Sequence, residues 1–243
     1  MLVTVTGAQR EENFCCHPLK NLRGRLTLRI GLVRRFFGRK AGSERHSLEA
    51  SMALEFKPKF EKIVELLLYL ALKRPNADKY QAVKFFYLAD KLHLTKYGRP
   101  ITHEIYYALP MGPIASNAMD LLEGDKLAFK KAGIDSLPFE TETVKRWIGP
   151  DLLYIRKPLR DVDFDLFSKS DIEVFDEIID RFGNFTFKQL YNVTHDHFAY
   201  KRAWKEKAAG SKRALMRYDE MIDDEQRRKQ IVEDISPVAA HME

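Results

Sequence analysis

The sequence predicts a mainly α-helical protein: a compact multi-helix single domain with one small β-hairpin and an appended N-terminal tail. Three observations carry that expectation. Helix-period apolar patterns with clear starts and stops cover residues 60–73 and 78–97. Capping residues recur ahead of two further helical runs, near residues 168 and 186. Finally, the formal charge of +6 has one source. Of the 41 Lys and Arg and 35 Asp and Glu, residues 1–51 hold 10 and 4, which leaves 31 of each and a neutral body.

The tail is read from composition. Residues 13–43 contain no acid, carry both cysteines as Cys15-Cys16, and are broken by Gly24, Gly31 and Gly38. A secretory signal needs an uninterrupted apolar core of about 7 to 15 residues; TLRIGLVRRFF is cut by Arg29, Arg34 and Arg35. An organelle-targeting presequence fits the arginine-rich, acid-poor composition better. The preferred expectation is a flexible tail upstream of a natural start at Met52. Adjacent cysteines are poorly placed to bridge each other and no third cysteine exists, which predicts a disulfide-free domain in a reducing cytoplasm. No run reaches the roughly 18 apolar residues of a membrane span. With a neutral body, nucleic-acid binding is expected only nonspecifically, through the tail.

In the body, Ile63, Val64, Leu66, Leu67, Leu68, Leu70 and Ala71 cover much of the circumference of a first helix, from about Phe60 to Lys73, which should be central. Arg74-Pro75-Asn76 turns the chain into a second helix, capped by Asp78, running to about Lys96 and stopped by Gly98 and Pro100. ITHEIYYAL is ambiguous between an extended loop and a short strand. Pro113 fits the first turn of a third helix that is interrupted or ended near Gly124. TVKRWI and LLYIRK flank Gly149-Pro150-Asp151 as a hairpin. Ser168 or Ser170 caps a helix that stops at Gly183, and Thr186 caps the next. Residues 211–235 read as one exposed charged helix, with Leu215, Tyr218, Ile222 and Ile231 as a narrow stripe and partner binding as its functional alternative. SPVAAHME should fray. The expected division is 1–51 tail, 52–205 domain, and 206–243 charged helix and end.

Two clusters invite a chemical reading. Val83, Phe86, Tyr87, Leu94 and Tyr97 share one side of the second helix, and Asp90 sits inside that stripe one turn before His93. Both could face one pocket, and an Asp beside an imidazole is a pairing used for general base catalysis and metal ligation. The structural reading has Asp90 accept backbone amides of the Pro110–Pro113 turn or a tyrosine hydroxyl, since a buried unpaired carboxylate is heavily penalised. His195 and His197 lie roughly 200° apart on a helix, so one should face inward and the other outward, and a buried hydrogen bond is expected for His195. No HExxH, paired CxxC, glycine-rich phosphate loop or GxSxG is present. The expectation is a non-enzyme with no catalytic residue, no metal and no cofactor.

Tyr80, FFYLAD ending at Asp90, His93, YGRPIT from Tyr97 to Thr102, Tyr107-Ala108 and GPI from Gly112 form one block. Leu166, Ser168, Gly183, Thr194-His195 and Trp204 mark a second. In this order and spacing, from residue 60 to about 205, the chain resembles the Panacea domain, also called the SocA-like antitoxin domain. The resemblance implies a bacterial or phage-borne antitoxin that neutralises a cognate toxin by direct binding, and in one studied type delivers it to an ATP-dependent protease. It marks Asp90, His93, Tyr97, Gly98, Pro100, Gly112, Pro113 and His195 as motif positions. Tyr106, Tyr107, Met111 and Trp204 are the candidate partner contacts, because interface affinity concentrates in aromatic and Arg anchors. The competing class is a metal-dependent or nucleotide-handling enzyme built around Asp90, His93, His103 and His195.

Overall fold

Two helices with long continuous buried runs form the core of the described fold. The computed structural model describes residues 54–147 and 149–239; the tail and the expected start at Met52 lie outside them. In α1 (Phe60–Lys73) all residues from Ile63 to Ala71 are buried. In α2 (Lys79–Tyr97) all from Ala82 to Asp90 are. The ends of α2 follow from local chemistry. Asp78 accepts from the Tyr80 and Gln81 amides while the Gln81 side chain returns to the Asp78 amide, and Gly98 closes the helix at φ 78°, its amide donating to the Leu94 carbonyl.

The chain then forms a hairpin that the sequence pattern did not show. Strands β1 (Tyr106–Leu109) and β2 (Gly112–Ala115) pair antiparallel, Tyr107 opposite Ile114 and Ala108 opposite Pro113. Pro113 is therefore a strand residue and not the first turn of a helix. β2 lies at the sheet edge, where the missing proline N–H is tolerated. The helix begins only at Ser116, as α3 (Ser116–Leu122), and a left-handed Gly124 separates it from α4 (Lys126–Ala132). A hairpin forms in the expected region, but its first strand lies earlier than TVKRWI: β3 (Phe139–Val144) pairs with β4 (Leu152–Pro158), and Lys145, Arg146 and Trp147 belong to the connection. Capping boxes at Ser168 and Thr186 open α5 (Lys169–Phe182) and α6 (Phe187–Asp196). His197 interrupts the helical run, and α7 (Phe198–Glu206) follows. Phe86 of α2 meets Phe175 of α5 edge to face, centroids 5.9 Å apart.

The segment after residue 210 corrects the expectation of a single charged helix. Ala214–Leu215 form β5, which adds to β1 and completes a sheet of order β2-β1-β5. Beyond it Met216 and Tyr218 are buried while Leu215 is 61 % exposed. That alternation has the period of a strand, not of a helix. Met216 N–H donates to the Tyr106 carbonyl, and the Tyr218 hydroxyl donates to the Glu104 carbonyl at 2.6 Å. Met221 and Ile222 are also buried, and only then does α8 (Glu225–Ala239) begin, with Pro237 inside it. The fold is mainly α with small antiparallel sheets. No helix among the described residues is long and apolar enough to cross a membrane.

Candidate functional site

Asp90 is fully buried and saturated. Its Oδ1 accepts from the amides of Ile101 (2.8 Å) and Thr102 (3.0 Å), and its Oδ2 from the hydroxyls of Thr102 (2.6 Å) and Tyr106 (2.9 Å). Burial raises its pKa, and the four donors oppose that rise. The amides come from the segment after the Gly98 turn; those of the Pro110–Pro113 turn, expected as partners, make no bond to it. Tyr106 is likewise a core residue with its hydroxyl spent on Asp90, so it is removed from the set of surface contacts.

His93 faces a different group. Its Nδ1 donates to the Arg99 carbonyl (2.7 Å), and Nε2 lies 3.0 Å from Ser170 Oγ and 3.1 Å from Asp171 Oδ1. Asp171 is buried and also takes Lys62 Nζ at 2.7 Å and Arg99 Nη2 at 2.8 Å. Burial would raise the Asp171 pKa, but hydrogen bonds from His93 and Lys62, the Lys62 charge and the Ser168 amide outweigh it and hold the carboxyl well below its ordinary range. Tyr97, half-exposed, lies against the His93 ring with centroids 4.6 Å apart, and Pro100 is buried at the turn. His103 is separate again: it is buried at φ 55°, its Nδ1 has no partner, and burial with the charges of Lys59, Lys62 and Arg99 lowers its pKa to about 3. Asp90, His93, His103 and His195 thus serve four different sets of neighbours. Among the described residues no three His, Cys, Asp or Glu side chains are grouped to hold a metal ion.

Several buried ionisable residues escaped the sequence reading, Asp171 among them, and two of the others, Glu104 and Lys84, support the β1–β2 region. Glu104 accepts from the amides of Ile105, Asn117 and Ala118 and from the Asn117 side chain, so it caps α3 from across the sheet; burial raises its pKa to about 7. Lys84, on the buried face of α2, donates to the carbonyls of Met111 (2.8 Å) and Pro113 (3.0 Å). His195 places Nε2 3.2 Å from the Pro110 carbonyl and Nδ1 2.8 Å from that of Tyr191, its ring stacked on Tyr191. Lys84 of α2 therefore holds one carbonyl of the β1–β2 turn and one of β2, and the His195 ring of α6 lies against the Pro110 carbonyl. His197, expected to face opposite to His195, is also partly buried, because α6 ends before it and its Nδ1 lies 3.1 Å from the Tyr87 hydroxyl.

Burial lowers the Lys84 pKa from 10.5 to about 7. An unfolded lysine still binds its proton up to about pH 10.4, so across that window the unfolded chain holds more protons and the Lys84 contribution to stability rises with pH, by up to about 1.4 kcal/mol per pH unit. Lys84→Met is expected to flatten this rise, read from urea midpoints between pH 7 and pH 9; an unchanged slope would show that Lys84 is charged in the fold.

The turn held in this way displays its tip. Met111 is 47 % exposed. Tyr107 and Leu215 oppose each other on β1 and β5, and the Arg213 guanidinium covers the Tyr107 ring at 4.5 Å. Trp204 of α7 stacks parallel to Tyr200, whose hydroxyl donates to the Leu109 carbonyl at 2.9 Å. Asp90, Glu104 and Lys84, each buried with hydrogen-bond partners, lie in a mainly helical domain that carries an apolar, aromatic rim on a supported turn, the kind of surface used for binding. A family model, described as Antitoxin SocA-like, Panacea domain, matches residues 83–205, half of the chain, and the protein belongs to that family. The membership carries an antitoxin-type role and points to a non-enzymatic one. Comparison with curated proteins and with solved structures finds no significant match.

Proposed function

We propose that this protein neutralises a toxin by binding it directly through the face formed by the β1–β2 turn and the β1–β5 pair. The observation that supports this most is the display of Met111: an exposed thioether at the tip of a turn whose neighbouring carbonyls are fixed from behind by Lys84 and His195. Such rigid presentation lowers the ordering cost of binding, and methionine adapts to an apolar pocket. Tyr107, Leu215 and Trp204 extend the contact. The Asp90, His93 and Gly98–Pro100 groups act behind this face as scaffold.

Co-expression with the toxic product of a neighbouring gene tests the reading. The wild type is expected to restore growth and to co-purify with the toxin. Met111→Glu should abolish both while leaving the melting temperature within about 1 °C, because surface substitutions usually change stability by less than about 0.5 kcal/mol. A toxin that stays fully active beside soluble wild type would refute the antitoxin function for that pair.

A further inference from the structure

A second exposed anchor lies on the β3–β4 ribbon. Trp147, at the loop between the strands, is 100 % exposed. The loop is closed by the Arg146 amide donating to Asp151 Oδ1 (3.3 Å) and by Gly149 at φ 90°. At its base the ribbon is fixed to the core: Asn76 N–H donates to the Ile155 carbonyl and Ile155 N–H to that of Ala77, both at 2.8 Å, and Phe139 and Ile155 are buried. Cross-strand ion pairs then brace its length, Arg156 with Glu142 at 2.7 Å and Lys157 with Glu140 at 3.3 Å.

Charge separates the tip from the strands. Both cations of β4 are ion-paired across the ribbon, whereas the side chains of Lys145 and Arg146 beside Trp147 form no ion pair among the described residues; the carboxylate at the tip, Asp151, takes the Arg146 amide. An indole of this size can bury about 150 to 250 Å², and Trp and Arg are the residue types most enriched among interface hot spots. A lipid surface calls for a broader apolar insertion and for clusters of about four to eight basic residues, more than one indole and two cations supply. An apolar pocket on a protein, ringed by carboxylates, matches both features of the tip.

We propose that the β3–β4 tip is a second anchor for the toxin, with Trp147 entering an apolar pocket on the toxin whose acidic rim pairs with Lys145 and Arg146. The inference rests on the reading of this chain as a toxin-binding protein, and the tip is separate from the Met111 turn. Binding of the full chain to the purified product of the neighbouring toxic gene tests it, with affinity measured at low and high salt and the melting temperature measured in parallel. Trp147→Ala should weaken binding roughly 30-fold or more at an unchanged melting temperature. Lys145→Glu with Arg146→Glu should slow association and remove part of the salt dependence. A wild type that does not bind the toxin overturns the antitoxin reading and this inference with it. A wild type that binds while Trp147→Ala binds within about twofold, against the hot-spot loss expected, overturns the inference alone. So does unchanged toxin affinity accompanied by Trp147-dependent sedimentation with phosphatidylserine vesicles, which would assign the tip to a lipid surface.

Discussion

Asp90→Leu is expected to destabilise the protein by about 4 kcal/mol or more, enough to leave much of it unfolded. The substitution strands four buried donors at once: the Ile101 and Thr102 amides and the Thr102 and Tyr106 hydroxyls. Each buried group left without a partner costs about 1 to 3 kcal/mol. Leu shares the branching of Asp but is bulkier and offers none of them an acceptor. Asp90→Asn keeps one acceptor oxygen and should lose only about 1 to 3 kcal/mol, with toxin binding intact in the folded fraction. Urea unfolding of both variants checks the pair. A metal or catalytic role would look different: stability nearly intact in the Asn variant, and stoichiometric metal in the wild type that disappears with Asp90→Asn and with His93→Ala alike.

Gly112→Ala should have the second largest effect, about 3 kcal/mol, and unlike Met111→Glu it should reduce stability and toxin binding together. Gly112 sits at φ 99°, where an L side chain is strained by about 1 to 3 kcal/mol. A methyl there would also overlap Lys84 Nζ and come within 2.8 Å of the His195 ring. Either the turn moves off its two supports or Lys84 loses the two carbonyls it donates to. Thermal unfolding and toxin affinity of the two variants separate a displaced turn from a lost contact. A Gly112→Ala protein with wild-type stability would mean that the turn is loosely held.

The helices were legible because their signals are local. Asp78 with Gln81, Ser168 with Asp171 and Thr186 with Gln189 sit three residues apart, so the caps can be read from the chain itself. The β1–β2–β5 sheet was not legible for the opposite reason. β1 and β2 are four residues each, too short for a periodic pattern, and β5 pairs with a strand more than a hundred positions earlier in the chain. The site divides in the same way. An acid within the apolar stripe of α2 showed that Asp90 would need donors, but their origin in Ile101, Thr102 and Tyr106 depends on how the Gly98 turn folds back. Lys84 lies in the run AVKFFYLA, where a cation among apolar residues was a comparable signal. A lysine reads as surface by habit because its stem can reach solvent, and here the amine turns to two carbonyls instead.

The late position of β5 bears on how the protein is made. Until Ala214 and Leu215 leave the ribosome, β1 is an unpaired edge and Glu104 lacks the Tyr218 hydroxyl on its carbonyl. Open edges and exposed apolar surface are what chaperones, proteases and aggregating neighbours engage during synthesis. The nascent chain therefore passes through a stage in which its helices are complete up to α7 while the strand that anchors the Met111 turn remains available to any passing β-segment. Synthesis of the segment that carries β5 is the step that closes that edge and gives the turn its finished support.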